Sequence, residues 1–179
     1  MRLFTALDPP DDLRTALSTL QNAPSLPMRW TNPDQFHVTL RFIGDVDLPQ
    51  ARRFEDTLRA INGPRGWCVP YGLDVLPSRR TPRVLMVGLE PTDSIIALHD
   101  AVSDALEAED LAPEDRDYRP HITLGRLDNP DPEAVHAFLQ THDEISLPAF
   151  RADQIVLYES TLTPNGARHE PRATYPLSA

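Results

Sequence analysis

The pattern of periodicities predicts an α+β fold with two antiparallel sheets and helices packed outside them. Three observations predict it. Strand-like and helix-like stretches interleave along the whole chain, without the clean strand-helix-strand repetition of a parallel sheet. The same alternating motif occurs twice, as His37-Val38-Thr39-Leu40 and as His121-Ile122-Thr123-Leu124. With only 7 glycines, the chain carries no Gly-rich phosphate loop of the kind that opens a doubly wound nucleotide fold.

The elements follow in order. Arg2 to Leu7 reads as a strand, and Leu13, Leu17 and Leu20 recur at helical spacing until Pro24 and Pro27. Phe36 to Ile43 alternates and ends at Gly44-Asp45. Ala51, Phe54, Leu58 and Ile61 give a second helix, stopped by Asn62-Gly63-Pro64. Trp67 to Leu76 and Arg83 to Leu89 are strand-like runs around the loop Pro77 to Pro82. Ile95, Leu98, Val102 and Leu106 form the most regular helical pattern. His121 to Gly125 is a short strand, and Pro132 opens a helix carrying Val135, Phe138 and Leu139. Ile145 to Phe150, Ile155 to Tyr158 and a last stretch to Pro176 read as strands, with Pro164-Asn165-Gly166 as a hairpin turn.

The chain has 179 residues, long enough for one domain with a substantial core. Its 17 basic residues are all arginine, which excludes chemistry through a lysine amine. Net charge of −10 argues against broad attraction to polyanions while leaving room for a local arginine cluster. One cysteine, Cys68, permits neither an intrachain disulfide nor a Cys-rich metal site. Asp8 interrupts the N-terminal stretch where a signal peptide needs an apolar core, and no run approaches the ~18 apolar residues of a membrane span. A cytoplasmic protein is expected.

In a strand, alternate side chains share a face, so His37 with Thr39, and His121 with Thr123, each present an imidazole beside a hydroxyl. Neutral imidazole and imidazolium coexist near pH 7, so one histidine can remove a proton while the other supplies one. Threonine hydroxyls can donate to phosphate oxygens. Attack of water or of a ribose hydroxyl on a phosphodiester requires this set. Two histidines without a third histidine or a carboxylate at ligand spacing make a poor metal site, so no metal or cofactor is expected.

His37 through Val46, Arg119 through Arg126, the opening Met1-Arg2-Leu3-Phe4-Thr5-Ala6-Leu7-Asp8 and the closing Leu157 to Arg168 resemble the two-histidine (2H) phosphoesterase superfamily. Within it they are most similar to the RNA 2',3'-cyclic phosphodiesterases, historically called 2'-5' RNA ligases. The resemblance covers essentially the whole chain. It implies a single bilobal, pseudo-twofold domain over residues 1–179 with a central cleft. It also implies metal-independent opening of a terminal 2',3'-cyclic phosphate to a 2'-phosphate. His121 would be the proton acceptor, His37 the proton donor, Thr39 and Thr123 the phosphate holders, and Arg126 a phosphate clamp. RNA ends bearing the cyclic phosphate are the implied partner, and a monomer is expected. The same site could run in reverse, joining a cyclic-phosphate end to a 5'-hydroxyl without ATP. A binder of such ends that does not turn them over is the remaining alternative.

Strict alternation places Arg126 opposite to His121, so a kink or bulge at Gly125 is needed to re-aim it. By the same parity Arg41 falls on the His37 face and is a rim candidate. Phe4, Trp30 and Tyr118 are candidates to stack a base, with core packing as the competing account. Arg29, Arg79, Arg80 and Arg83 read as solvated charges that could meet an RNA backbone, His99, His136 and His142 as exposed helix residues, and Glu107 to Asp110 as a solvated helix end. His169, in the last hairpin, is a candidate to touch the site.

Overall fold

The computed structural model describes residues 1–22, 26–63, 65–164 and 166–178. Among the described residues, ten strands and four helices are ordered β1 (Arg2–Leu7), α1 (Asp11–Thr19), β2 (Met28–Trp30), β3 (Val38–Asp45), α2 (Leu48–Arg59), β4 (Trp67–Cys68), β5 (Pro70–Ser78), β6 (Thr81–Leu89), α3 (Asp93–Glu107), β7 (His121–Leu127), α4 (Pro132–Thr141), β8 (Phe150–Arg151), β9 (Gln154–Thr163) and β10 (Gly166–Pro176). The predicted stop at Pro24, the end of the Asn62-Gly63-Pro64 signal and the centre of the Pro164-Asn165-Gly166 turn lie outside the described residues.

Helix starts follow their local chemistry. Asp47 accepts from the backbone N–H of Gln50 while the Gln50 side chain accepts from Asp47 N–H, closing a capping box at α2. Thr92 caps α3 and Asp131 caps α4, each accepting a backbone N–H of the first turn. No side chain caps α1; Asp11 and Asp12 instead place negative charge at its N-terminus.

Among the described residues all pairing is antiparallel, in an eight-stranded sheet and a two-stranded one formed by β4 and β8. The large sheet runs β10-β9-β1-β3-β7-β6-β5, and it consists of two halves that meet between β3 and β7. Those strands pair at one position, Val38 opposite Ile122. Beyond it β3 leaves the edge of β7, and β2 takes its place opposite Gly125 to Leu127. One side of the sheet is covered by the apolar stripes of all four helices. Leu13 and Leu17, Phe54 and Leu58, Leu98 and Val102, and Val135 and Phe138 join Leu7, Leu40, Leu85, Val87, Ile122 and Leu124 in one core cluster. The side opposite this cluster carries His37, Thr39, His121 and Thr123.

Four elements differ from the sequence expectation. Trp67 to Leu76 is split into β4 and β5, which belong to different sheets. The run from Ile145 pairs only at Phe150 and Arg151, consistent with Pro148 lacking a donor for a ladder. β2, three residues long, has too little periodicity to read as a strand and exists through its pairing with β7. His37 lies just before β3 rather than within it.

Candidate active site

The single β3–β7 pair generates the site. Val38 and Ile122 are opposite each other and fully buried on the helix side. Because the pairing is antiparallel, His37 stands across from Thr123 and Thr39 across from His121, all on the other face. The result is a crosswise square of two imidazoles and two hydroxyls, each side chain half-buried.

Both imidazoles are held alike. His37 Nδ1 lies 2.8 Å from the carbonyl of Gln35, and His121 Nδ1 lies 2.7 Å from the carbonyl of Arg119, each two residues back. A carbonyl only accepts, so Nδ1 carries the hydrogen and Nε2 is left to exchange protons with a ligand. The Gln35 side chain then clamps β10, accepting from His169 N–H at 2.6 Å and donating to the His169 carbonyl at 3.3 Å. Thr39 is anchored through its carbonyl, which accepts from the Tyr118 hydroxyl at 3.0 Å.

His37 sits on aromatic rings: Phe4 at 4.9 Å, and His169 edge-on at 5.2 Å. This burial pushes the His37 imidazolium down to about 4, against the opposing effect of the Gln35 carbonyl; the charges of His169, His121 and Arg14 lower it further. Burial also lowers His121, against the Arg119 carbonyl and reinforced by the Arg119 charge. Desolvation therefore favours two neutral imidazoles, and an anion between them favours protonation. For a histidine whose native pKa lies below its unfolded value, the unfolded chain binds more protons, so stability is present above about 6.5 and is lost as pH falls toward 4. Thermal melts at pH 7 and pH 5 should show a smaller acid loss for His37→Asn than for the unsubstituted protein. Equal losses would count against a buried neutral His37.

A β-bulge in each half decides what stands beside the square. On β3, Leu40 is an extra residue between Thr39 and Arg41, which oppose the consecutive Ala6 and Thr5. On β7, Leu124 is the extra residue between Thr123 and Gly125, which oppose Met86 and Leu85. One inserted residue inverts every later side chain. Arg126 thereby turns onto the His121 face and is exposed, resolving the parity conflict in its favour.

The same device removes Arg41 from the rim. Arg41 is 1% exposed on the helix side, where it donates to Glu107 at 3.0 Å and to the Ala112 carbonyl at 2.6 Å, and pairs with Glu114 at 3.1 Å. Glu107 is thus an ion-pair partner as well as part of an acidic helix end. Phe42 occupies the Arg126 position of the first half: it faces the cleft side opposite Phe4 and is 61% exposed. Phe42 went unread in the sequence, yet it is five residues past His37 just as Arg126 is five past His121.

Phe4 is not available to stack a base. It is 3% exposed, stacks on Tyr158 at 5.3 Å and supports the His37 ring from beneath. Tyr118 is likewise internal, stacked at 4.0 Å on His99, which is half-buried rather than exposed. Trp30 packs against the core cluster. His169 does reach the site, edge-on to both His37 and Phe4. Cavities of about 410 Å³ beside Arg80 and Asn129 and about 340 Å³ beside Ile61 and Tyr175 contain none of these side chains. Among the described residues, no group of three or more His, Cys, Asp or Glu is arranged to hold a metal ion, and no helix is long and apolar enough to cross a membrane.

Two imidazoles with free Nε2 atoms, crossed with two hydroxyls on a duplicated antiparallel sheet, define a two-histidine phosphoesterase. Residues 7–86, with His37, and residues 87–169, with His121, each match the family described as LigT like Phosphoesterase. The chain belongs to that family. It is 28% identical over 172 residues to the RNA 2',3'-cyclic phosphodiesterase of Methanothermobacter thermautotrophicus, covering 93% of both chains. It is 26% identical to the protein of the same name from Archaeoglobus fulgidus, covering 93% of this chain and 94% of the relative. In fold it is similar to E. coli LigT complexed with 3'-AMP, with a TM-score of 0.79, 21% identity and coverage of 99% and 98%. The Thermus thermophilus structure TT0787 matches with a TM-score of 0.79 and 22% identity, covering 98% and 97%.

Proposed function

We propose that the protein is an RNA 2',3'-cyclic phosphodiesterase that opens terminal 2',3'-cyclic phosphates to 2'-phosphates by acid-base catalysis without a metal. The observation that carries this reading is the crosswise His–Thr square with both Nε2 atoms free. His121 takes a proton from water as its oxygen bonds to phosphorus. His37 gives a proton to the departing 3' oxygen. Thr39 and Thr123 donate to the non-bridging oxygens, and Arg126, which no carboxylate engages in an ion pair among the described residues, neutralises the developing charge. The names of the archaeal relatives support the substrate class. An oligonucleotide ending in a 2',3'-cyclic phosphate, incubated with the protein in EDTA and without ATP, should be converted to the 2'-phosphate. Absence of conversion, with the end bound or unbound, overturns the proposal.

Phe42 supplies the platform for the terminal base. Its ring is 6.0 Å from Phe4, which in turn underlies His37, so a nucleoside whose phosphate lies at the square can lay its base on this exposed ring. Base–aromatic stacking is worth ~1–3 kcal/mol. Phe42→Ala should raise KM about tenfold with kcat nearly unchanged, a split read directly from initial rates.

A further inference from the structure

β5 contains a residue that the histidine square does not explain. Pro70 and Gly72 of β5 oppose Leu89 and Gly88 of β6, leaving Tyr71 as an extra residue in a bulge. Gly72 has φ 137°, a conformation open to glycine, and it turns Tyr71 over the neighbouring strand. The phenol comes to rest on Gly88: a Cβ added there would overlap the Tyr71 ring and its hydroxyl. Gly88 is directly opposite His121. Directly opposed residues share a face and set their Cβ atoms about 4.5–5.5 Å apart. The Tyr71 hydroxyl therefore stands where a side chain beside His121 would begin. Tyr71 is 49% exposed, and its hydroxyl has no hydrogen-bond partner among the described residues. Bulge, positive φ and bare Gly88 all serve to place a free hydroxyl next to one of the two imidazoles.

We propose that Tyr71 is a further catalytic residue, whose hydroxyl accepts the second hydrogen of the water attacking beside His121 and so favours water over an alcohol as nucleophile. The proposal rests on the cyclic-phosphodiesterase reading of the site. An attacking water uses one lone pair for phosphorus and gives one hydrogen to His121 Nε2; its other hydrogen needs an acceptor to fix its orientation. The new P–O bond forms, the P–O3' bond breaks, and the 3' oxygen takes the His37 proton. The second hydrogen stays on the new phosphate oxygen. An alcohol has no second hydrogen, so it gains nothing from Tyr71. A 5'-hydroxyl RNA end is such an alcohol, and Tyr71 thus biases the site toward hydrolysis and away from 2'-5' joining.

The test is Tyr71→Phe, which keeps the ring on Gly88 and removes only the hydroxyl. Unsubstituted protein and variant are given a cyclic-phosphate-ended oligonucleotide in water containing methanol, and mass spectrometry separates the 2'-phosphate from its methyl ester. The variant should lose about tenfold in kcat for hydrolysis, with methyl transfer and KM within about twofold, so the ester-to-phosphate ratio rises about tenfold. An unchanged ratio overturns the proposal, whether both products fall together, as a structural role would have it, or neither falls. If the unsubstituted protein opens no cyclic phosphate, the parent reading fails, and this proposal fails with it. Normal turnover with an unchanged ratio sinks the Tyr71 role alone. Equal melting temperatures for the two proteins establish that the ratio reports chemistry and not folding.

Discussion

His121→Ala should lower kcat for cyclic-phosphate opening by about 10²–10⁴, and His37→Ala by a similar factor, because each removes one proton transfer from the transition state. The two substitutions together should cost much less than the product of the single losses, since either alone leaves the concerted step incomplete. A substrate with sulfur in place of the departing 3' oxygen separates the roles. A thiolate leaves without a proton, its conjugate acid having a pKa near 8.5, so this substrate should restore much of the loss in His37→Ala and none in His121→Ala. The reverse pattern would exchange donor and acceptor. Full activity of both variants on the natural linkage would remove the square from the mechanism.

Arg41→Met should lower stability by about 3 kcal/mol, the lower end of the range for breaking a buried ion pair, because Glu107 and Glu114 are themselves 32% exposed. For a chain of this size that is a fall in Tm of roughly 6–12 °C. The folded fraction should turn over substrate within about twofold of the unsubstituted rate at 20 °C, because Arg41 lies behind the sheet and not beside the square. Calorimetry with a parallel initial-rate measurement checks both halves. A large rise in KM with unchanged Tm would return Arg41 to the rim.

Much of the site was legible before the fold. His37, Thr39, His121 and Thr123 are marked by a motif written twice, and strand alternation alone puts each imidazole beside its hydroxyl. The core was legible for the same reason: Leu98, Val102 and Leu106 repeat at helical spacing and are buried at it. The burial of Arg41 and the positions of Phe42 and Tyr71 were not, and Arg126 reaches its face only through a bulge that the sequence could require but not locate. Each lies at or just past a bulge, and a bulge exists only as a mismatch between two strands that are distant in sequence. Strict parity puts Arg41 on the wrong face because it runs through Leu40, where the ladder with β1 slips by one. Phe4 failed differently: its place is set by Tyr158 and His169, aromatic partners more than 150 residues away.

Residue types and their order carry the chemistry: the absence of lysine, the paired His-x-Thr strands, and a phosphate as their fitting ligand. These are properties of residue type and of a two-residue period, and both survive any rigid arrangement of the strands. The tertiary structure alone decided the square and its surroundings. One antiparallel contact between Val38 and Ile122 crosses each histidine with the other strand's threonine. Two matched bulges send an arginine and a phenylalanine to the ligand face and bury a second arginine among carboxylates. A third lays a phenol over the glycine opposite His121. The physical reason is common to all three: inserting one residue against a partner strand reverses which face every following side chain takes, and the partner is not local in sequence.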